Sequence, residues 1–98
     1  MESAYPRIKA VQPLPGKRLH VTFTNDAVKI YDCSHLLDQE PFRLLTDDAF
    51  FRCVRVEPNG YAVVWSDRID LAESELWLHG EPPSTRLQRT ASGAVAEA

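Results

Sequence analysis

Ninety-eight residues hold only two cysteines, four glycines and one methionine. No stretch approaches the roughly 18 consecutive apolar residues that a membrane-spanning helix requires, so no membrane association is expected. So few cysteines exclude a scaffold in which several bridges stand in for a core. The opening residues MESAYPRIKAV lack the basic-then-apolar layout of a secretory signal, and the expected location is cytoplasmic. In such a reducing compartment Cys33 and Cys53 are expected as thiols, not as a bridge. There is no glycine-rich phosphate loop. Neither Cys53 nor the other histidines stand at metal-ligand spacing from Cys33-Ser34-His35, and that segment lacks the third orienting group a nucleophile and its base need. No cofactor, metal or catalytic residue is expected. A net charge of −3 and a pI near 5.5 weigh against a general nucleic-acid binder.

What the chain does have is a 44% hydrophobic body with four Phe, three Tyr and two Trp, enough bulk for one core and too little length for a second domain. The expected division is a single domain over residues 1–80 and a flexible tail over 81–98, because GEPPSTRLQRTASGAVAEA is poor in bulky apolar groups and opens on Gly80 and two prolines.

Within the body, Leu19, Val21 and Phe23 alternate with Arg18, His20 and Thr22, the period of a half-buried strand. A two-residue loop at Asn25-Asp26 sets Phe23 opposite Val28 and Val21 opposite Ile30. A loop centred on Pro15-Gly16 sets Ile8 opposite Phe23 and Ala10 opposite Val21. Downstream, a loop at Asn59-Gly60, of two or of four residues, sets Val56 opposite Val63 and Val54 opposite Trp65. Ser34 to Leu37 and Thr46 to Phe51 read as short helical turns capped by Ser34 and Thr46. Asp70 with Glu73 three residues on forms a capping pattern for a last helix that Gly80 stops. Capping accounts for Asp70 and Glu73 in the acidic group, and Asp67 and Glu75 read as solvated charges, so no catalysis is expected there. The fold class is α+β: a small, mostly antiparallel sheet of about five strands, built as a three-strand meander plus a hairpin, with short helices between and after.

The order of Pro6, Ile8 and Val11, then Leu19 to Phe23, Tyr31-Asp32, Phe42 to Leu45, Phe50 to Val56, Trp65 and Ile69-Asp70-Leu71 resembles the bacterial domain-of-unknown-function family 2442, from Tyr5 to about Leu78. The resemblance implies an α+β fold with a mostly antiparallel sheet and no established catalytic activity. It also implies relatives that are fused to a helix-turn-helix domain or encoded beside another small protein, as in toxin-antitoxin pairs. Beyond Gly80 this chain has too little apolar sequence for a helix-turn-helix. Family members commonly carry a glycine shortly before the Asp that precedes the last helix. Here that segment is Trp65-Ser66-Asp67-Arg68-Ile69-Asp70, so a positive φ at Arg68 would mean strain.

Charge is unevenly divided. Residues 1–31 carry Arg7, Lys9, Lys17, Arg18 and Lys29 against Glu2 and Asp26, whereas residues 32–79 hold ten acids against four arginines. In the registers above, Arg7, Lys9, Arg18, His20 and Lys29 point away from the apolar face with Tyr31 beside them, a candidate surface for an acidic partner. Trp65 falls in line with Val63 and reads as core. Trp77 stands between Leu76 and Leu78, so one bulky group there faces outward or meets a second chain. The expected function is a non-enzymatic protein-interaction module, an antitoxin-like or regulatory companion of a second small protein, or a self-associating one. The candidate contact residues are Arg7, Lys9, Arg18, Lys29, Tyr31 and Trp77. Nucleic-acid binding through the basic face and an unrecognised small-ligand site are the alternatives.

Overall fold

A computed structural model of the chain describes residues 5–83. The fold is α+β, with six antiparallel strands in two three-stranded sheets where the sequence suggests about five strands. The first sheet holds β1 (Ile8–Leu14), β2 (Arg18–Phe23) and β3 (Val28–Asp32) in that order. Two 3-10 turns come next (Ser34–Leu36 and Phe42–Thr46), then α1 (Asp48–Phe51). The second sheet is β4 (Arg55–Val56), β5 (Ala62–Ser66) and β6 (Ile69–Ala72), and α2 (Glu73–His79) closes the body. No helix among the described residues is long and apolar enough to cross a membrane.

The first hairpin turns through three residues, with Leu14 opposite Arg18 and positive φ at Gly16 and Lys17. A bulge between Ile8 and Ala10 then shifts the ladder by one. Ile8 therefore does oppose Phe23, but Val21 faces Val11 rather than Ala10. The bulge residue Lys9 is exposed and reaches Asp26 at 3.4 Å.

The second hairpin departs from the expected register, with consequences for the site. Asp26 takes a φ of 70° and the Asn25 side chain accepts the Ala27 N–H at 3.0 Å, so Thr24-Asn25-Asp26 forms a three-residue loop. Val21 then faces Lys29, and Leu19 faces Tyr31. A one-residue slip moves every β3 side chain to the other face. Tyr31, expected on the wet face, is 1% exposed in the core, and Lys29 shares the inner face with Val21, while Ile30 turns outward.

In the second sheet Val56 does face Val63, across a four-residue loop whose Gly60 has a φ of 80°. A Cβ there would lie 2.8 Å from the Ile8 carbonyl oxygen, and the Gly60 carbonyl accepts the Ile8 N–H at 2.8 Å, joining the two sheets. Residues 69–72 form a strand paired with β5 rather than the start of the last helix. Asp70 is thus an exposed strand residue, and α2 starts after Ala72 with no side-chain cap. The expected capping pair fails because Ile69 and Leu71 bury against the core with period two. Arg68 does not adopt a positive φ; its N–H is accepted by Ser66 Oγ at 3.3 Å, so the missing family glycine leaves no strain.

Neither Ser34 nor Thr46 is the cap expected of it, and the first 3-10 turn has no side-chain cap at its Cys33 start. Asp47, not Thr46, accepts the Ala49 and Phe50 amides at the start of α1, and Asp32 accepts the Ser34 N–H at 2.9 Å. Both sheets contribute to one core: Ile8, Leu19, Val21, Phe23 and Tyr31 from the first, Val63, Trp65, Ile69 and Leu71 from the second, with Cys33, Leu45, Phe51 and Leu76 between. Val56 is half-buried against it. Trp65 lies in this core as its spacing indicates, its indole N–H donating to the Phe51 carbonyl at 2.8 Å. Both cysteines are free thiols, Cys33 buried and Cys53 exposed. The proposed flexible tail lies largely outside the described residues, but its first residue, Glu81, is paired with β3.

Candidate functional site

Three consecutive residues of β3 hold α2 and the short segment after it. The Lys29 ammonium lies 4.5 Å from the centroid of the Trp77 ring, and that ring meets Phe23 edge to face at 5.1 Å and 83°. Ile30 and Glu81 exchange both backbone bonds, at 2.8 and 2.9 Å. Tyr31 Oη donates to Glu75 Oε2 at 2.6 Å and lies 3.4 Å from His35 Nε2, while His79 Nδ1 stands 3.2 Å from the same Glu75 oxygen. Gly80 permits the approach: a Cβ there would lie 2.6 Å from the Leu76 carbonyl oxygen and 2.9 Å from Lys29 Cβ.

Burial, reinforced by the Glu75 carboxylate, pushes the Tyr31 phenol above its ordinary range. The Tyr31 hydroxyl in turn holds the Glu75 carboxyl below the usual carboxylate range, against an opposing effect of partial burial and with help from His79. Near neutral pH the pair is therefore a neutral donor facing an ionised acceptor. Such a pair fixes geometry; neither member is poised to exchange a proton near neutrality. Burial also pushes the Cys33 thiol up to about 12, so it is a packing group rather than a nucleophile. Among the described residues no three His, Cys, Asp or Glu side chains are grouped to hold a metal ion. A surface groove of about 630 Å³ runs between Gln12–Gly16 and the exposed ion pair Asp48–Arg52, away from the α2 seam.

The candidate contact residues, with Arg7, Lys9, Arg18, Lys29 and Tyr31 expected on or beside one basic face and Trp77 on the last helix, are not gathered on a single face. Arg7 is exposed with its guanidinium 5.0 Å from the centroid of the Tyr61 ring. Lys9 is paired with Asp26, and Arg18 Nε donates to the Pro15 carbonyl at 3.1 Å on the outer face. Lys29, Tyr31 and Trp77 instead meet α2 or belong to it, and Trp77 is half-buried. The outward bulky group of the last helix is Leu78, 58% exposed. Sequence spacing flags one outward group among Leu76, Trp77 and Leu78, and the phase of α2 selects the third. Nothing local pairs Tyr31 with Glu75, which lie 44 residues apart.

Residues 8–82 match the model of the family described as "Protein of unknown function (DUF2442)", and the chain belongs to that family. No curated protein and no solved structure matches it.

Proposed function

We propose that this member of the DUF2442 family is a binding module rather than an enzyme, an antitoxin-like or regulatory companion that holds a second small protein on the outer side of α2. The observation that carries the reading is Leu78, a large apolar side chain 58% exposed at the end of α2, next to the half-buried Trp77 whose ring is braced by Phe23 and Lys29. An exposed leucine flanking a rigidly held tryptophan supplies the apolar anchor of a small interface, with little side-chain entropy lost at the tryptophan on docking. His79 and Glu75 rim it with polar groups.

The test is affinity capture of the full chain at native concentration beside its Leu78→Asp variant. The reading expects one stoichiometric protein with the parent chain and at least tenfold less with the variant, with unchanged circular dichroism. Recovery of the chain alone, or equal capture by both, overturns it.

A further inference from the structure

We propose that Glu81-Pro82-Pro83 is a removable strap over the outer edge of β3, and that displacing it lets two copies of the chain pair through that edge. β3 is one of the two edge strands of its sheet. The Phe23 N–H donates to the Ala27 carbonyl, which sets the phase of the ladder: alternate residues Lys29 and Tyr31 bond toward β2. Val28, Ile30 and Asp32 therefore direct their N–H and C=O groups away from the sheet. Of these three, only Ile30 has a backbone partner on that side among the described residues, namely Glu81.

The strap covers no more because of its own sequence. Continued antiparallel from Glu81, a ladder would bring Pro83 opposite the next outward residue, Val28; Pro83 has no N–H to give, and the chain is already helical there. On the other side, Asp32 falls opposite His79, already inside α2. Two prolines directly after one paired residue are an edge-blocking device.

The edge left underneath is self-complementary. About a two-fold axis at Ile30, Val28 of one copy faces Asp32 of the other, and the two Ile30 residues face each other. The Asp32 end of this edge comes free where His79, the last residue of α2, moves aside with the strap. Three facing pairs with two bonds each make about six inter-chain bonds, against the two backbone bonds that join Ile30 and Glu81 in each copy. The second Ile30 also restores cover to a side chain that is buried on the outer face but stands outside the shared core. Against this stands the strap's advantage of being tethered, which gives it a local concentration in the millimolar range. The intact chain is therefore a monomer at ordinary concentration, and weakening the strap lowers the concentration at which it pairs.

This inference does not rest on the α2 reading, since Leu78→Asp leaves Glu81 in place and strap variants leave Leu78 in place. Sedimentation equilibrium of the full chain is compared with Gly80→Val, whose Cβ is excluded by the Leu76 carbonyl and Lys29, and with Glu81→Pro, which removes one strap bond without adding bulk at position 80. The dimer dissociation constant is expected to fall at least tenfold in each, and adding Ile30→Pro is expected to return either to monomer, since that amide points away from β2. If Gly80→Val loses its native spectrum, Glu81→Pro carries the test. A natively folded Glu81→Pro chain that stays as monomeric as the parent overturns the proposal, as does a dimer that survives Ile30→Pro.

Discussion

Tyr31→Phe removes one oxygen from the core and asks how much the Tyr31–Glu75 bond contributes. The phenol is 1% exposed and its hydroxyl lies 2.6 Å from the Glu75 carboxylate, a charge-assisted hydrogen bond worth about 1.5–3 kcal/mol when well buried. The Glu75 side chain is 36% exposed and keeps His79, so water and imidazole replace part of the loss. The expected destabilisation is about 1–2 kcal/mol near neutral pH. With an m-value of about 1 kcal/mol per molar urea for a body this small, the midpoint should fall by about 1–2 M at unchanged m. The pH dependence carries the sign. Glu75 has a folded pKa below its unfolded value, so its contribution is present above the unfolded carboxyl range and fades as pH falls through the folded value. Tyr31 has a folded pKa above its unfolded value, so its contribution is complete below about pH 10 and fades as pH rises beyond that. The gap between parent and variant should be widest across the neutral range and narrow at both extremes. Urea melts at acid, neutral and alkaline pH measure it; equal stability at neutral pH, or a gap that does not change with pH, refutes the reasoning.

Asp47→Ala deletes the side chain that accepts the Ala49 and Phe50 amides at the start of α1, and should cost about 1 kcal/mol, with amide exchange accelerating at those two positions first. Uniform protection of α1 in that variant would show that Asp47 is not the cap. Thiol labelling of the native chain should proceed in two phases, one equivalent reacting quickly at exposed Cys53 and the other reacting only through opening at Cys33, whose thiol burial pushes up to about 12. Two equivalents in the fast phase would contradict the burial of Cys33.

The α+β class, the three-strand meander and the burial of Val21, Phe23, Val63 and Trp65 were all legible, because strict alternation and turn residues are local signals. The first hairpin is instructive in a different way. A two-residue loop and an unbroken ladder set Ile8 opposite Phe23, and so do the three-residue loop and the Lys9 bulge that actually occur, since the two offsets cancel. The pairs from Ala10 to Leu14, Val11 with Val21 among them, reveal the difference. β6 was obscured by Asp70 and Glu73, which imitate a capping pattern on residues whose alternating burial belongs to a strand.

The candidate site was lost for one reason, the single extra residue in the loop before β3. Either side of β3 can be read as apolar, Val28 and Ile30 on one and Tyr31 on the other, so hydrophobic alternation alone does not choose between them. The positive φ of Asp26 and the Asn25 side chain decide the loop length, and these are conformational choices that Asn and Asp permit without requiring. Once the slip is made, the Lys29 and Tyr31 side chains acquire the partners that a two-residue loop would have denied them, Trp77 and Glu75, on either side of the Ile30 backbone pair with Glu81. The way β3 grips α2 is therefore a consequence of one turn. Shortening Thr24-Asn25-Asp26 by a residue would not trim a surface loop; it would rotate the Lys29 and Tyr31 side chains off the helix together.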